Sequence, residues 1–113
     1  MRIRMFVKEN TWLSSLDVGW GNGYVIIPKG HPLHGKGYDD IDVSVHGGLT
    51  FSGPVNELDN SKEGGWFEIK PKDKDGWVIG FDTAHYGDNK MNWSKERVLK
   101  ETQLLKEQVE KLS

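Results

Sequence analysis

The segment that begins at Ser94 constrains the fold most, because it differs in kind from the rest of the chain. It contains no Gly or Pro and is rich in Glu, Lys, Gln and Leu, which favour helix. Ser94 itself is a preferred N-cap residue. Its spacing predicts an amphipathic helix of about five turns. The predicted buried stripe recurs at steps of four and three residues and is flanked by two leucines: Val98, Thr102, Leu105, Val109 and Leu112, with Leu99 and Leu104 beside it.

Two roles are open to this predicted helix. It can cover one face of a sheet, or its near-heptad stripe can pair with the same helix of a second copy. The modest core expected of the chain favours such a homodimer. In either case the 113 residues predict a single domain, with a β-rich body over 1–92 and the C-terminal helix over 93–113.

Short strands are predicted in the body, where alternating or β-branched residues are separated by Gly, Pro and Asn-Gly turns. Residues 72–76 suit a hairpin turn that returns the chain into the last of these strands. With the helix, they predict an α+β fold on a mostly antiparallel sheet of about five or six strands, sandwich-like or an open barrel. The predicted strands cover residues 2–8, 24–27, 41–45, 49–52, 66–69 and 77–81.

Composition narrows the classes of function. The formal net charge is −2 and Lys and Arg form no stripe, so we do not expect direct wrapping of nucleic acid or attraction to an anionic membrane. The chain contains no Cys, which excludes disulfides, zinc ribbons and thiol catalysis and leaves His, Asp and Glu as the metal ligands. No segment has the apolar length of a membrane span or a signal peptide, so we expect a cytoplasmic protein.

Two strand ends carry the residues best suited to chemistry. The last predicted strand of the body runs into Asp82, His85 and Asp88, spaced three residues apart, and an earlier one runs into His46. If the two strands are neighbours, these side chains converge on one pocket. Such a set can surround a divalent ion, or a carboxylate can orient an imidazole that acts as a base. Asp and His near strand ends also cap turns, so a purely structural role is equally open.

A glycine pair extends this candidate site. Gly47 and Gly48 can let backbone N–H groups approach an anion, or can simply form a tight turn, and the Thr50 hydroxyl can reach the same ligand. The segment is neither a Walker loop nor a dinucleotide fingerprint, because it lacks their spacing and the Lys-Ser/Thr ending. The predicted ligand-binding residues are His46, Gly47, Gly48, Thr50, Asp82, His85 and Asp88.

A second polar cluster lies in the predicted loop over 31–40. His31 and His34 stand three residues apart and precede the adjacent carboxylates of Asp39 and Asp40. These groups can line the rim of a pocket or bind a metal ion. Loop residues of this kind also commonly face solvent, so the second cluster is the weaker candidate.

Segments 23–32, 46–51 and 80–88 carry a wider pattern. The second reads His-Gly-Gly-Leu-Thr-Phe and the third Gly-Phe-Asp-Thr-Ala-His-Tyr-Gly-Asp. In this order they resemble a family of small, uncharacterised bacteriophage and prophage proteins that end in a similar charged helix. The resemblance covers most of the body and implies a phage origin and the cytoplasm of an infected cell. It brings no catalytic residues, but small phage proteins of unknown role are often counter-defence factors.

Three functions are compatible with these observations. The first is a binding protein that holds a small polar or nucleotide-like ligand in the His/Asp pocket. The second is a small metal-dependent hydrolase, in which the same residues hold the ion and a bound water attacks the substrate. The third is a protein–protein inhibitor of a host defence enzyme, which acts through its surface and uses these motifs only structurally.

Overall fold

An open antiparallel sheet with one helix packed against it makes up the computed structural model, which describes residues 3–9, 18–55, 73–85 and 87–112. The order of the strands across the sheet is β1, β2, β4, β3. This arrangement confirms the predicted α+β class with a C-terminal helix. The elements are β1 (Arg4–Glu9), β2 (Gly21–Ile27), β3 (Phe51–Pro54), β4 (Trp77–Phe81) and α1 (Lys95–Lys111), with a 3₁₀ turn at Tyr38–Asp40.

The centre of the sheet is formed by β2 and β4, whose side chains are apolar on both faces. Val25 lies opposite Ile79, and Ile26 lies opposite Val78. Because side chains alternate along a strand, the first pair points to the helix side and the second pair points to the opposite side. On that opposite side Tyr24, Phe6 and Phe51 complete a smaller apolar cluster. The two central strands therefore separate two cores.

The helix begins where the sequence predicts. The Ser94 hydroxyl accepts a hydrogen bond from the backbone N–H of Arg97, and α1 starts at the next residue. Four residues of the predicted stripe are buried against β2 and β1, whereas Leu112 is 45% exposed at the C-cap. Of the two roles considered for the helix, covering the sheet is the one that the structure shows. Val98, Thr102, Leu105 and Val109 are the buried members.

The prediction of a strand over 41–45 is wrong, because these residues form no strand in the structure. The alternation correctly indicates one-sided burial, since Ile41 is buried and Val43 packs against the helix-side core. The backbone, however, pairs with a side chain. Gln108 Oε1 accepts from the Ser44 N–H, and its Nε2 donates to the Ser44 carbonyl, both at 2.7 Å. The side-chain amide of Gln108 in α1 thus makes the two backbone hydrogen bonds that a neighbouring strand would otherwise make with Ser44.

The other strand predictions have mixed outcomes. The described residues form four strands, and the sheet is open rather than a closed barrel. The strand predicted over 66–69 and the start of the turn over 72–76 lie outside the described residues. Within the described ranges, no helix combines the length and apolar character needed to span a membrane. The strands predicted over 2–8, 24–27, 49–52 and 77–81 correspond to β1, β2, β3 and β4, the third displaced towards Pro54.

Candidate functional site

The chain beyond β4 and the loop before β3 bring His46, His85 and Asp88 together. His46 Nε2 lies 2.9 and 3.0 Å from the two carboxylate oxygens of Asp88. One of these oxygens also accepts from the backbone N–H of His85 at 2.9 Å and lies 3.3 Å from His85 Nδ1. The structure therefore places together the side chains whose convergence the sequence predicts, and we call these three residues the His–Asp cluster.

Asp82 lies at the edge of the His–Asp cluster. Its Oδ1 is 3.3 Å from His85 Nδ1 and also accepts from the backbone N–H of Ala84 at 3.2 Å. The second contact is the turn-capping role that was considered for it from the sequence. Its side chain is 36% exposed, so Asp82 combines a structural contact with an open face towards solvent.

Asp88 is the buried member of the cluster, with a side chain only 5% exposed. Burial raises the pKa of this carboxyl group, but the hydrogen bonds from His46 and from the backbone N–H of His85 outweigh that effect. The pKa of Asp88 consequently lies below its ordinary value. The cluster contains an ionised carboxylate at neutral pH, held by donors from two different segments.

The two imidazole rings are held by close packing. The His46 ring lies over Trp93 with centroids 4.1 Å apart, and it meets the His85 ring edge-on at 5.3 Å. Gly47 has a φ of +69°, and a Cβ on it would overlap the His85 ring. Glycine is therefore required at this position both by the backbone conformation and by the neighbouring imidazole.

Helix α1 fixes the backbone of His46. Glu101 Oε2 accepts from the His46 N–H at 2.7 Å, and the Arg97 guanidinium lies 4.4 Å from the centre of the Trp93 ring. Sequence reasoning missed these contributions. The signal for Trp93 was its position, as a large aromatic residue just before the predicted N-cap. No pattern distinguishes Glu101 from the other acidic residues of the helix.

Gly48 and Thr50, predicted as ligand-binding residues, make backbone hydrogen bonds in a turn and at the edge of the sheet. The Gly48 N–H donates to the Val45 carbonyl at 2.9 Å and is thus already used in a turn. The Thr50 N–H donates to the Gly80 carbonyl at 2.9 Å, just before β3 begins. Thr50 is exposed, and nothing lies within 4 Å of a Cβ built on Gly48. Their contacts are those of a turn and a sheet edge.

The second predicted cluster is divided by the fold. His31 is 4% exposed: its Nδ1 accepts from the Leu33 N–H at 3.0 Å, and its Nε2 donates to the Val109 carbonyl at 2.8 Å. His34 instead contacts a carbonyl of the turn before β4, and the carboxylates at 39 and 40 are exposed. Across the described ranges, the His–Asp cluster is the one group of three or more His, Asp or Glu residues whose ligand atoms all lie within 4.8 Å of one another.

Comparison with known protein families, with characterised proteins and with solved structures finds no match to this chain. A functional assignment therefore depends on the geometry of the cluster itself. Two imidazole nitrogens and one carboxylate oxygen, mutually close and partly open to solvent, are the groups that divalent transition metals prefer.

Proposed function

We propose that this protein binds a divalent transition-metal ion with His46, His85 and Asp88. The observation that supports this most is that one ligand atom from each residue lies within 4.8 Å of the other two. Bonds of about 2.0–2.2 Å would separate the ligands of a tetrahedral ion by about 3.4 Å. Small side-chain movements are therefore sufficient to close the three groups around an ion.

Charge favours a cation here over the anionic, nucleotide-like ligand considered from the sequence. The Asp88 carboxylate is at the centre of the cluster, and Asp82 lies beside His85. The Glu101 carboxylate contacts the backbone of His46 at 2.7 Å. A phosphate would face these negative groups directly, whereas a divalent cation would neutralise them.

A proton currently occupies part of the place that the ion would take. A carboxylate only accepts hydrogen bonds, so Nε2 of His46 carries the hydrogen that points at Asp88. An ion bound between these atoms replaces that hydrogen. Metal binding through Nε2 therefore requires this hydrogen to leave that atom, either for Nδ1 of the same ring or for solvent.

Metal-dependent hydrolysis is the second candidate function. Three protein ligands leave a coordination position for water, as in catalytic zinc sites. The side chains of His46 and His85 are 24% and 34% exposed, so solvent and a substrate can reach an ion held between them. This exposure is the observation that favours a reactive ion over a closed structural one.

The biological setting of the proposal comes from the motif resemblance. It supports a phage protein that acts against a host defence in the host cytoplasm, either through its bound ligand or as an inhibitor through its surface. The two modes are separated by His46→Ala and Asp82→Ala variants that remain folded. Full biological activity in both would favour the inhibitory surface.

Calorimetric titration of tag-free protein with Zn²⁺, Mn²⁺ and Ni²⁺ tests the metal site. One equivalent of at least one ion should bind to the wild type. His46→Ala and His85→Ala should each weaken binding by at least about a hundredfold. His34→Ala is the matched control, because it removes a histidine outside the cluster and should leave the affinity unchanged. Absence of stoichiometric binding, or equal losses in all three variants, would contradict the proposal.

A further inference from the structure

A cleft near the opposite end of the sheet carries a different chemistry from the His–Asp cluster. It has a volume of about 370 Å³ and is lined by Lys29, His34, Lys74 and Trp77, among others. Trp77 is the first residue of β4, whereas His85 and Asp88 of the cluster follow the last residue of that strand. The volume falls within the range of pockets that hold small molecules.

The aromatic walls of this cleft are fixed by hydrogen bonds to the backbone. His34 Nε2 lies 2.6 Å from the Asp75 carbonyl, and Trp77 Nε1 donates to the Lys36 carbonyl at 2.8 Å. The two rings stand 6.1 Å apart at 52° to each other. These bonds tie the loop over 31–40 to β4 and the turn before it, so the walls are in place before any ligand arrives, which lowers the entropic cost of binding.

The charge of the cleft is opposite in sign to that of the chain. The lining of the cleft includes two exposed lysines, Lys29 and Lys74, and one carboxylate, Asp75, which gives a local balance of +1 in a chain of net charge −2. Lysine is a common phosphate-binding residue, and aromatic rings offer flat faces to planar groups. The cleft thus combines an anion-binding edge with a surface for a ring.

We propose that this cleft binds a small phosphate-bearing ligand with a planar ring, of the size of a nucleoside monophosphate. Lys29 and Lys74 hold the phosphate, and Trp77 and His34 contact the ring. The nucleotide-like ligand that the sequence suggests for the His/Asp pocket is thereby assigned to another place. The proposal is independent of the metal site, because no residue of the His–Asp cluster lines the cleft.

Nuclear magnetic resonance titrations with AMP, adenosine and inorganic phosphate, in the presence of a chelator, test this site. The indole N–H signal of Trp77, assigned with Trp77→Phe, should shift with AMP, and AMP should bind more tightly than adenosine or phosphate alone. The double variant Lys29→Ala/Lys74→Ala should lose at least about tenfold in affinity for AMP. Lys100→Ala/Lys111→Ala, which removes the same charge from the exposed surface of α1, should bind as the wild type does.

Three results would overturn the proposal: no shift of the Trp77 signal at millimolar AMP, equal affinity for phosphate and AMP, or equal losses in the two double variants. The last result would mean that net charge, rather than the cleft, attracts the ligand. Repeating the AMP titration with His85→Ala separates the two sites. An unchanged affinity supports the cleft whatever the outcome of the metal titrations, and a loss of AMP binding counts against it.

Discussion

The imidazole of His46 donates to both carboxylate oxygens of Asp88, a residue 42 positions later in the chain. The same ring lies against Trp93, so one polar and one aromatic contact set its orientation. Because Asp88 is buried, its charge depends for compensation on the hydrogen bonds from His46 and from the backbone N–H of His85. The pair links the loop before β3 to the chain after β4, and it is the centre of the proposed metal site.

Replacement of Asp88 by Asn should destabilise the metal-free protein. The substitution keeps the shape but removes the charge that accepts from His46 and from the His85 backbone, so we expect a loss of about 1.5–3 kcal/mol in the free energy of unfolding. Urea denaturation measures it. Asp82→Asn is the control: that side chain is far more exposed, and its loss should be below about 1 kcal/mol. Similar losses of unfolding free energy in both variants would show that the hydrogen bonds to Asp88 have no special weight in stabilising the fold.

Gly47→Ala and Gly48→Ala form a matched pair. Both positions have positive φ, so each substitution should cost about 1–2 kcal/mol of backbone strain. Only the Cβ at Gly47 meets the His85 ring, whereas the space around Gly48 is open. Gly47→Ala should therefore displace His85 and also weaken metal binding, and Gly48→Ala should not. Unfolding curves and calorimetric titrations of both variants test this difference, which would be refuted by equal metal affinities.

Gln108→Ala should loosen the segment over 41–45. It removes both hydrogen bonds to Ser44, each worth about 0.5–1.5 kcal/mol. Hydrogen exchange at the Ser44 amide should accelerate as a result. Gln108→Glu keeps the acceptor for that amide but loses the donor, and should give an intermediate rate. Gln103→Ala, an exposed glutamine on the same helix, is the control, and comparable acceleration there would rule out a specific role for Gln108.

Alkaline pH should destabilise the fold through Tyr24. Burial raises the pKa of this phenol to about 12; the hydrogen bond from Asn22 opposes the rise, and the negative charge of Asp82 adds to it. The folded pKa exceeds the unfolded value, so the contribution of Tyr24 to stability is complete below about pH 10 and is lost as the pH rises towards about 12. Denaturation as a function of pH should show this loss, and Tyr24→Phe should abolish it.

A second measurement checks the contribution of Asp82, the smallest of these three effects. In Asp82→Asn, the removed charge should lower the pKa of Tyr24 towards its ordinary value, as followed by the ultraviolet absorbance of the phenolate. An unchanged titration of Tyr24 in this variant would show that the Asp82 charge does not reach it.

The sequence predicts the fold where burial and backbone pairing agree. The stripe of α1 and the apolar run of β4 were identified because their spacing indicates burial and their backbones follow the expected geometry. Residues 41–45 show the opposite case, since alternation reports which side chains are buried but not what the backbone pairs with. There the partner is Gln108, and no local pattern indicates a side chain in that role.

For the candidate site, the sequence predicts the residues of the His–Asp cluster but not the contacts that hold them in place. The end of β4 places His85 and Asp88 as the sequence predicts, whereas His46 reaches them from the loop before β3 and not from the end of a strand. The fixing contacts of Trp93 and Glu101 come from around α1, and their positions depend on how the helix docks. The sequence made His31 a candidate ligand because it gives no sign of another partner for the ring. That partner is the Val109 carbonyl, which is identified only when the end of the helix is placed beside His31.

The bond between Glu101 and His46 has a consequence for the time course of folding. It joins residues 55 positions apart, and the neighbouring pair of Gln108 and Ser44 joins residues 64 positions apart. Contacts of such separation close large loops, and chains rich in them fold slowly. We therefore expect the stacking of His46 on Trp93 to form only once these large loops have closed. The difference in fluorescence between the wild type and Trp93→Phe during refolding should report when that closure occurs.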